Sequence, residues 1–277
     1  MPEPQDRHAL LRAAAEGLPG DTPRLDAELL LAHVLGEDRL AMLMGRASVS
    51  AEAQAAFEAL LVRRRAHEPV AHLTGEREFW SLPIRVSRDV LVPRPDSETL
   101  IAEALAYFSG RPPATVLDLG TGSGALLLAA LSEWPQARGL GIDRSEAALA
   151  VAADNAARLG LAARAAFRAG DWAAGVEGPF DLILCNPPYI EDGAELMPDV
   201  ADYEPAGALF GGPDGLDCYR LLLPEVPRLL APGGVALFEF GLGQGPALVE
   251  MAAGLGMAAT LANDLTGRAR VLRIAAD

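Results

Sequence analysis

The sequence predicts an α/β fold: a doubly wound, mainly parallel seven-stranded sheet, preceded by a small all-helical N-terminal domain and joined to it by a β-hairpin. Three observations predict it. From Thr115 onward, short apolar runs typical of buried strands alternate with stretches of helical spacing, as in a parallel sheet covered by helices. A glycine-rich turn follows the first of these strands, and the N-terminal part shows only helical patterns.

The N-terminal patterns come first. "RLDAELLLAHVLG" follows a capping Thr22 and a proline and closes at Gly36, and "SAEAQAAFEALLVRRRAHEP" runs from a capping Ser50 to Pro69. Caps, helical spacing and terminal glycine or proline are helix boundaries, and "EDRLAMLMG" between them suits a short helix. No cluster of chemistry-bearing residues occurs here, so residues 1–72 are predicted to be a helical domain that works by contact.

The pattern then changes. "EREFWSLPIRVSRDVLVPRP" contains short extended runs broken by Pro83 and by the turn-like "SRD", which predicts a β-hairpin linker over residues 73–94. The helical stretch "SETLIAEALAYF" opens the core domain, residues 95–277.

Within the core domain, seven segments have strand character. They are "TVLDLG", "ARGLGID", "ARAAFRAGD", "FDLILC", "GVALFEFG" and two in the tail "MAATLANDLTGRARVLRIA". The helices between them are "ALLLAALSEW", "SEAALAVAADNAARLG", capped by Ser145 and ended by Gly160, and "GLDCYRLLLPEVPRLL".

Composition narrows the function class. The formal net charge of −15 argues against gripping nucleic acid over a broad basic face; a cationic small molecule or a basic protein suits it better, although solubility alone would explain it as well. The apolar runs are too short for a membrane span, and the N-terminus lacks a secretory signal. Cys185 and Cys218 suggest no disulfide framework, so a reducing, cytoplasmic setting is expected.

The glycine-rich turn "GTGSG" predicts a ligand site. Gly120, Gly122 and Gly124 stand between a strand and a helix, where glycine allows a sharp turn and close approach of a ligand. The next strand ends at Asp143, whose carboxylate can accept hydrogen bonds from both hydroxyls of a ribose. These features suit NAD and S-adenosylmethionine equally, because Gly120, Gly122 and Ala125 also satisfy the dinucleotide pattern.

Three further side chains are candidates near this turn. Asp171 and Trp172 follow the third strand and could flank an adenine ring, or be ordinary loop residues. Asp118, near the end of the first buried strand, could attract a sulfonium or ammonium group by its charge. Alternatively, Asp118 hydrogen-bonds the glycine turn.

"NPPY" follows the fourth strand. Pro187 and Pro188 stiffen the turn, and Asn186 and the Pro187 carbonyl can each accept one hydrogen of a planar NH₂ group. Tyr189 can pack on the planar face of that group. Neither a general base nor a metal-ligand cluster is visible beside the turn, so catalysis by orientation is expected.

Together, "GTGSG", the acid after the second strand and "NPPY" resemble class I S-adenosylmethionine-dependent methyltransferases that modify planar nitrogens. "EPVAHLTGEREFWSL" and the specific "VLVPRPDSE" are similar to the bacterial release-factor glutamine N5-methyltransferase family, over essentially the whole chain. The resemblance implies methylation of the glutamine in the Gly-Gly-Gln tripeptide of class 1 peptide-chain release factors, leaving S-adenosylhomocysteine. It also implies that the helical domain docks the release factor.

The resemblance also implies site residues. Those for the cofactor are Gly120, Thr121, Gly122, Ser123, Gly124, Asp143, Trp172 and Asn186, and those for the substrate glutamine are Asn186, Pro187, Pro188 and Tyr189. Phe79, Trp80, Arg94 and Glu98 are expected near the cleft, although Arg94 and Glu98 could simply pair with each other.

Four other functions remain open at this point. A DNA adenine-N6 methyltransferase shares "NPPY", but the acidic charge weighs against it. A ribosomal-protein glutamine methyltransferase would use the same chemistry, and "PRPDSE" favours release factors over it. An NAD-dependent dehydrogenase would leave "NPPY" unexplained. A non-catalytic scaffold that binds release factors would not need intact "GTGSG" and "NPPY".

Overall fold

The structure is a computed structural model and describes residues 6–45 and 48–276. It confirms the predicted fold class: a seven-stranded, mainly parallel sheet with flanking helices and a helical N-terminal region. The chain forms two compact units. They are Met1–Glu76 with Leu196–Tyr203, and Arg77–Glu195 with Glu204–Asp277.

The helices and strands follow in chain order. The helices are α1 (Arg7–Ala15), α2 (Pro23–Leu35), α3 (Arg39–Met44), α4 (Ala51–Arg65), α5 (Val70–Thr74), α6 (Glu98–Tyr107), α7 (Ala125–Glu133), α8 (Glu146–Arg158), α9 (Pro198–Ala201), α10 (Asp217–Leu222), α11 (Val226–Leu229) and α12 (Gly245–Gly254). The strands are β1 (Glu76–Phe79), β2 (Leu82–Arg85), β3 (Thr115–Leu119), β4 (Arg138–Asp143), β5 (Ala165–Ala169), β6 (Phe180–Cys185), β7 (Leu230–Glu239), β8 (Ala259–Asn263) and β9 (Ala269–Ala275).

The first unit packs its helices around an apolar core that includes Leu30, Leu31 and Phe57. A buried ion pair crosses this core, with Arg64 Nε 2.8 Å from Asp26 Oδ2. Buried charges are tolerated when they are paired in this way. The unit therefore has a core of its own.

Two predicted helix boundaries in the first unit, Ser50 and Gly36, are confirmed, whereas α4 ends at Arg65 and does not continue to Pro69. Ser50 accepts a hydrogen bond from the Ala53 N–H at the start of α4, and Gly36 ends α2 with φ 63°. Thr22 precedes α2, but its hydroxyl donates to Asp26 Oδ1 at 3.2 Å instead of accepting from the backbone. Asp26 lies one turn along the helix, and a hydroxyl forms a stronger hydrogen bond with a charged carboxylate than with a neutral group.

The predicted hairpin is the two-stranded sheet of β1 and β2. Its turn residues Trp80 and Ser81 have φ of 52° and 60°, as two-residue hairpin turns require. The fully buried Asn155 of α8 exchanges hydrogen bonds with the backbone of Arg85 at 2.8 and 3.0 Å, and its Nδ2 also donates to the Ser123 carbonyl at 2.9 Å. One amide thus joins the hairpin to the glycine turn.

The seven-stranded sheet has the order β5-β4-β3-β6-β7-β9-β8, and β9 is antiparallel to both of its neighbours. The chain moves outward from β3 to β5 and then returns to place β6 on the other side of β3. The order therefore reverses between β3 and β6, which is where open α/β sheets bind their ligands.

The helix predicted over "GLDCYRLLLPEVPRLL" is not continuous. α10 gives way to a 3₁₀ turn at Leu223–Glu225 before α11 begins. Pro224 and Pro227 explain the break, because proline lacks a backbone N–H and clashes with the preceding turn.

Within the described residues, no helix is both long enough and apolar enough to cross a lipid bilayer.

Candidate active site

A cavity of about 540 Å³ opens beside the carboxyl ends of β3, β4 and β6, within the usual size range of small-molecule sites. Most of the residues predicted for the site line it. They are Gly120, Thr121, Gly122, Ser123, Asp143, Asp171, Trp172, Asn186 and Pro188. Gly124, Pro187 and Tyr189 are not in its wall.

The glycine turn is shaped by backbone conformation and close packing. Gly120 has φ 73°, and a Cβ there would lie 3.1 Å from the Trp172 ring. Gly122 has φ 53° with open space where its side chain would be, whereas a Cβ on Gly124 would lie 3.2 Å from Ala152. Gly122 thus leaves room for a ligand, and Gly124 serves the packing of α7 on α8.

Asp143 holds the glycine turn from the end of β4. Its Oδ2 accepts the Gly122 N–H and its Oδ1 accepts the Ser145 N–H, both at 2.9 Å. A carboxylate has about four lone-pair sites, so two bonds to the backbone leave capacity for two ligand hydroxyls. The fold therefore orients the Asp143 carboxylate, and its contact with a ribose stays a prediction.

The side chains after β5 differ in burial. Asp171 is exposed and Trp172 is half-buried, and both line the cavity. Trp172 has φ 49°, a conformation that costs a bulky residue energy. That conformation places its ring against Gly120, so the indole forms part of the wall beside the glycine turn.

Asp118 lies beneath the glycine turn, 1% exposed, and outside the cavity wall. Thr121 Oγ1 donates to its Oδ2 at 2.6 Å, which supports the alternative that Asp118 holds the turn. Its Oδ1 has no hydrogen-bond partner among the described residues. Burial raises the pKa of Asp118 to about 7, against the lowering effect of the Thr121 hydrogen bond.

Asn186 stands immediately beside the glycine turn. Leu119 of β3 and Cys185 of β6 are register partners, so Gly120 and Asn186 are the next residues on neighbouring strands. The half-buried Asn186 donates from Nδ2 to Ser97 Oγ at 3.0 Å. This bond leaves Oδ1 available to accept, and the predicted bond from a substrate amide to Oδ1 stays a prediction.

The proline turn is supported from behind by two glycines and an amide. A Cβ on Gly211 would lie 2.5 Å from the Pro188 carbonyl oxygen, and one on Gly215 would collide with the Tyr189 carbonyl oxygen. Gln244 Nε2 donates to that Tyr189 oxygen at 2.9 Å. The backbone after Asn186 is thus fixed by close packing as well as by its prolines.

Tyr189 contacts the protein at both ends. Its hydroxyl donates to Glu239 Oε1 at 3.2 Å, and its ring packs against the sheet core. Burial raises the pKa of the Tyr189 phenol above its ordinary value, so this hydroxyl is a donor. The expected packing of Tyr189 on the substrate stays a prediction.

The "PRPDSE" segment is tied down by two ion pairs. Arg94 contacts Glu204 Oε2 at 2.6 Å, and the Glu204 side chain is 1% exposed. Asp96 contacts Arg270 of β9 at 3.0 Å. Because Arg94 lines the cavity, these pairs hold the segment against the site.

Glu98, the last acid of that segment, does not have Arg94 as its partner. Glu98 accepts the Trp80 backbone N–H at 2.8 Å, so the structure contradicts a simple pair between Arg94 and Glu98. Trp80 donates its indole N–H to Glu133 at 2.6 Å. Phe79 lines the cavity, whereas Trp80 and Glu98 do not.

Sequence reasoning missed three residues that support the site: Ser97, Glu239 and Gln244. Ser97 lies inside the "PRPDSE" motif, in which the sequence alone gives it no separate role. Glu239 carried a usable signal, since an acid within the apolar run "ALFEFG" is rarely buried without a partner. Gln244 gave no comparable signal.

Comparison with known proteins matches two family models to the chain. Residues 9–75 match the PrmC N-terminal domain, and residues 112–242 match a methyltransferase domain. The chain is 46% identical to a release factor glutamine methyltransferase of Cereibacter sphaeroides, over 96% of this chain and 95% of that protein. The proteins of the same name from Rhodospirillum rubrum and Xylella fastidiosa strain 9a5c are 52% and 43% identical, covering 81% and 98% of this chain and 70% and 97% of theirs.

Solved structures share the fold at low identity. The hMettl16 catalytic domain, solved with an RNA hairpin of the MAT2A 3′UTR, matches with a TM-score of 0.58 and 13% identity, over 74% of this chain and 80% of that one. A ribosomal protein L11 methylase from Lactobacillus delbrueckii subsp. bulgaricus matches with a TM-score of 0.50 and 22% identity, over 66% of this chain and 81% of that one. At such identities the likeness concerns the fold alone.

Proposed function

Because the chain belongs to the release factor glutamine methyltransferase family, we propose that it methylates the side-chain amide nitrogen (N5) of the glutamine in the Gly-Gly-Gln motif of class 1 release factors. In this proposal the methyl group moves from the sulfur of S-adenosylmethionine to the amide nitrogen, and one N–H proton is released to solvent. The products are S-adenosylhomocysteine and the N-methylated amide. One observation carries it: the "NPPY" turn and the glycine turn follow register partners on the adjacent strands β6 and β3.

The cavity offers a hydrogen-bond acceptor, open space and an apolar ring that suit S-adenosylmethionine. Asp143 has free acceptor capacity for ribose hydroxyls, and Gly122 leaves open space above the backbone. Trp172 offers an apolar ring beside Gly120, against which an adenine could pack. When bound, this group supplies a methyl carbon on a positively charged sulfur, which is electrophilic.

The chain's own residues act on the glutamine. An amide nitrogen is a weak nucleophile because its lone pair is delocalised into the carbonyl. In the proposal, Asn186 Oδ1 accepts one amide hydrogen and the Pro187 carbonyl accepts the other. Both bonds hold the nitrogen in one orientation and increase its electron density, while Pro188 and the backbone behind it keep the turn from relaxing.

Labelling tests the proposed function directly. The protein is incubated with methyl-labelled S-adenosylmethionine and a purified class 1 release factor, and mass spectrometry locates the label. The label is expected on the tripeptide glutamine and absent from a release factor in which that glutamine is alanine. Label on a ribosomal-protein glutamine or on DNA adenine, with none on the release factor, would contradict the proposal.

Residues 1–72 are proposed to dock the release factor. On α3, Leu40 and Met44 are 65% and 75% exposed, and large exposed apolar side chains that lie together are typical of protein contact sites. Changing both to serine is expected to raise KM for the release factor by about tenfold or more, since burial of such side chains contributes to affinity.

A matched control separates docking from catalysis. Leu265 in the other unit is fully exposed, and Leu265→Ser is expected to leave KM unchanged. With a short peptide containing the tripeptide as substrate, the Leu40→Ser, Met44→Ser double variant should match wild type. An unchanged KM for the full release factor in the double variant would remove these side chains from the docking surface.

A further inference from the structure

The proline turn needs support beyond its prolines for the proposed function to work. The rings of Pro187 and Pro188 fix φ at those residues, but they leave ψ free. In the proposed function the Pro187 carbonyl must point at a hydrogen of the substrate amide, and rotation about ψ would turn it away. The proposed reaction therefore needs a group that holds the backbone after the prolines.

Gln244, a half-buried residue just before α12, holds this backbone. Its Nε2 donates to the Tyr189 carbonyl at 2.9 Å and to the Gly215 carbonyl at 3.4 Å. Its Oε1 accepts the Gly241 N–H at 2.8 Å. One amide therefore ties the turn after β6 to the loop after β7 and to the segment before α10.

The Gln244 amide can face only one way. A backbone N–H can only donate and a backbone carbonyl can only accept. In a reversed amide, the NH₂ would meet the Gly241 N–H and the oxygen would meet the Tyr189 carbonyl, so both hydrogen bonds would be lost. The backbone itself thus directs the Gln244 NH₂ to the proline turn.

Two glycines leave the space that this amide occupies. A Cβ on Gly215 would lie 2.6 Å from Gln244 Nε2, and one on Gly241 would lie 3.0 Å from Gln244 Oε1. The Gly241 Cβ would also lie 3.1 Å from Cδ2 of the Tyr189 ring. A side chain at either glycine would push the amide away from the turn, so the surroundings of Gln244 are fitted to its present position.

The backbone beyond Tyr189 is paired with a part of the cavity wall. The Ile190 N–H donates to the Leu209 carbonyl at 3.0 Å, and the Ile190 carbonyl accepts the Gly211 N–H at 2.8 Å. Phe210, between those two residues, lines the cavity. Because Gln244 binds the residue immediately before Ile190, loss of its hydrogen bond would loosen the turn and this wall together.

We propose that Gln244 is a positioning residue: its NH₂ holds the Tyr189 carbonyl, and the turn thereby keeps the Pro187 carbonyl and Asn186 directed at the substrate amide. This inference rests on the proposed function. Gln244 is not in the cavity wall, so it acts on the reaction only through the backbone. A misplacement of about 1 Å in a reacting group can cost about 10²-fold in rate.

Gln244→Glu tests the donated hydrogen bond at nearly constant shape. The ionised carboxylate can still accept the Gly241 N–H, but its second oxygen faces the Tyr189 carbonyl, acceptor against acceptor. We expect kcat with a release factor to fall about tenfold or more, while the dissociation constant for S-adenosylmethionine stays within about threefold. Gln136→Glu makes the same change of charge at an exposed position before β4 and should match wild type.

Protonation should restore the Gln244→Glu variant, which a general loss of structure would not do. A neutral carboxylic acid offers one donor and one acceptor, as the glutamine amide does. Its ordinary pKa of about 4.3 is raised where burial and carbonyl oxygens oppose the charge. The single-turnover rate, divided by that of wild type, is therefore expected to rise as the pH falls from about 8 to about 5.5.

Two comparisons isolate this effect of pH. Division by the wild-type rate removes titrations that both proteins share, including those of Glu239, Asp214 and Asp217 on the contacted segments. Gln244→Met has the same length as glutamine and no titrating group, so it should be slow at every pH. Gln244→Met also decides the matter, by kcat and cofactor affinity, if Gln244→Glu does not fold.

The outcomes separate this inference from the proposed function. If wild type labels no release factor, the proposed function fails and the inference fails with it. If wild type labels the tripeptide glutamine but Gln244→Met equals wild type in kcat, only the inference is overturned. A loss of cofactor affinity instead of kcat, or a relative rate of Gln244→Glu that does not rise at low pH, would also overturn it.

Discussion

Asn186→Ala is expected to lower kcat by about 10²- to 10³-fold, the usual cost of removing one positioned hydrogen-bonding group from an active site. The variant loses the oxygen that holds the substrate nitrogen. Fixing two reactants in the right geometry can supply roughly 7–11 kcal/mol of a barrier, so part of that large contribution is lost. Single-turnover kinetics with a release factor would measure the fall.

The cofactor should be much less affected. Asp143 and the glycine turn are held by their own hydrogen bonds and not by Asn186. The dissociation constant for S-adenosylmethionine, measured by calorimetry, is therefore expected to change by only about threefold. Near-normal turnover in the variant would show that the amide clamp is not part of the mechanism.

Asn186→Asp is the matched control. It keeps an acceptor oxygen of the same shape but cannot donate to Ser97 Oγ, the bond of 3.0 Å seen here. We expect a loss smaller than that of alanine, since acceptance is retained and only its orientation is loosened. If aspartate is as slow as alanine, acceptance by an oxygen at this position is not what matters.

The place of the site could be predicted from sequence because parallel strands end at one edge of a sheet. Gly120, Asp143 and Asn186 each stand at the end of a separate predicted strand, so they had to share an edge. Their neighbours could not be predicted, since no local pattern states that β6 returns to lie beside β3. That strand order is a property of the whole core, and it places Gly120 against Asn186.

The supporting residues were harder to predict for the same reason. Ser97 meets Asn186 from a distant part of the chain, and Glu239 lies beside Asn186 only because β6 pairs with β7. The broken helix was a different kind of miss, because Pro224 and Pro227 were visible and proline ends helices. In that segment the prolines are a stronger local signal than the apolar spacing that predicts one continuous helix.

Asp118→Asn is expected to stabilise the protein at pH 8. Burial raises the folded-state pKa of Asp118 to about 7 from an ordinary value of 3.8. Between these values the folded protein keeps a proton that the unfolded chain has lost, so the free energy of unfolding falls as pH rises through this window. The difference between the two pKa values corresponds to about 4 kcal/mol of lost stability at most. Asparagine removes this cost because it carries no charge.

The measurement is the free energy of unfolding by urea from pH 4 to pH 8. The difference in free energy of unfolding between the variant and wild type should be smallest at pH 4 and should level off above about pH 7. Asp264→Asn is the control of opposite sign: hydrogen bonding by Thr266 lowers the pKa of Asp264, so its charge stabilises the fold above the unfolded pKa.

If Asp118→Asn is less stable than wild type at pH 8, the Thr121 hydrogen bond outweighs burial and the carboxylate stabilises the turn. If it is more stable, the protein retains a costly charge beneath its glycine turn, and a bound sulfonium should stabilise wild type more than the variant.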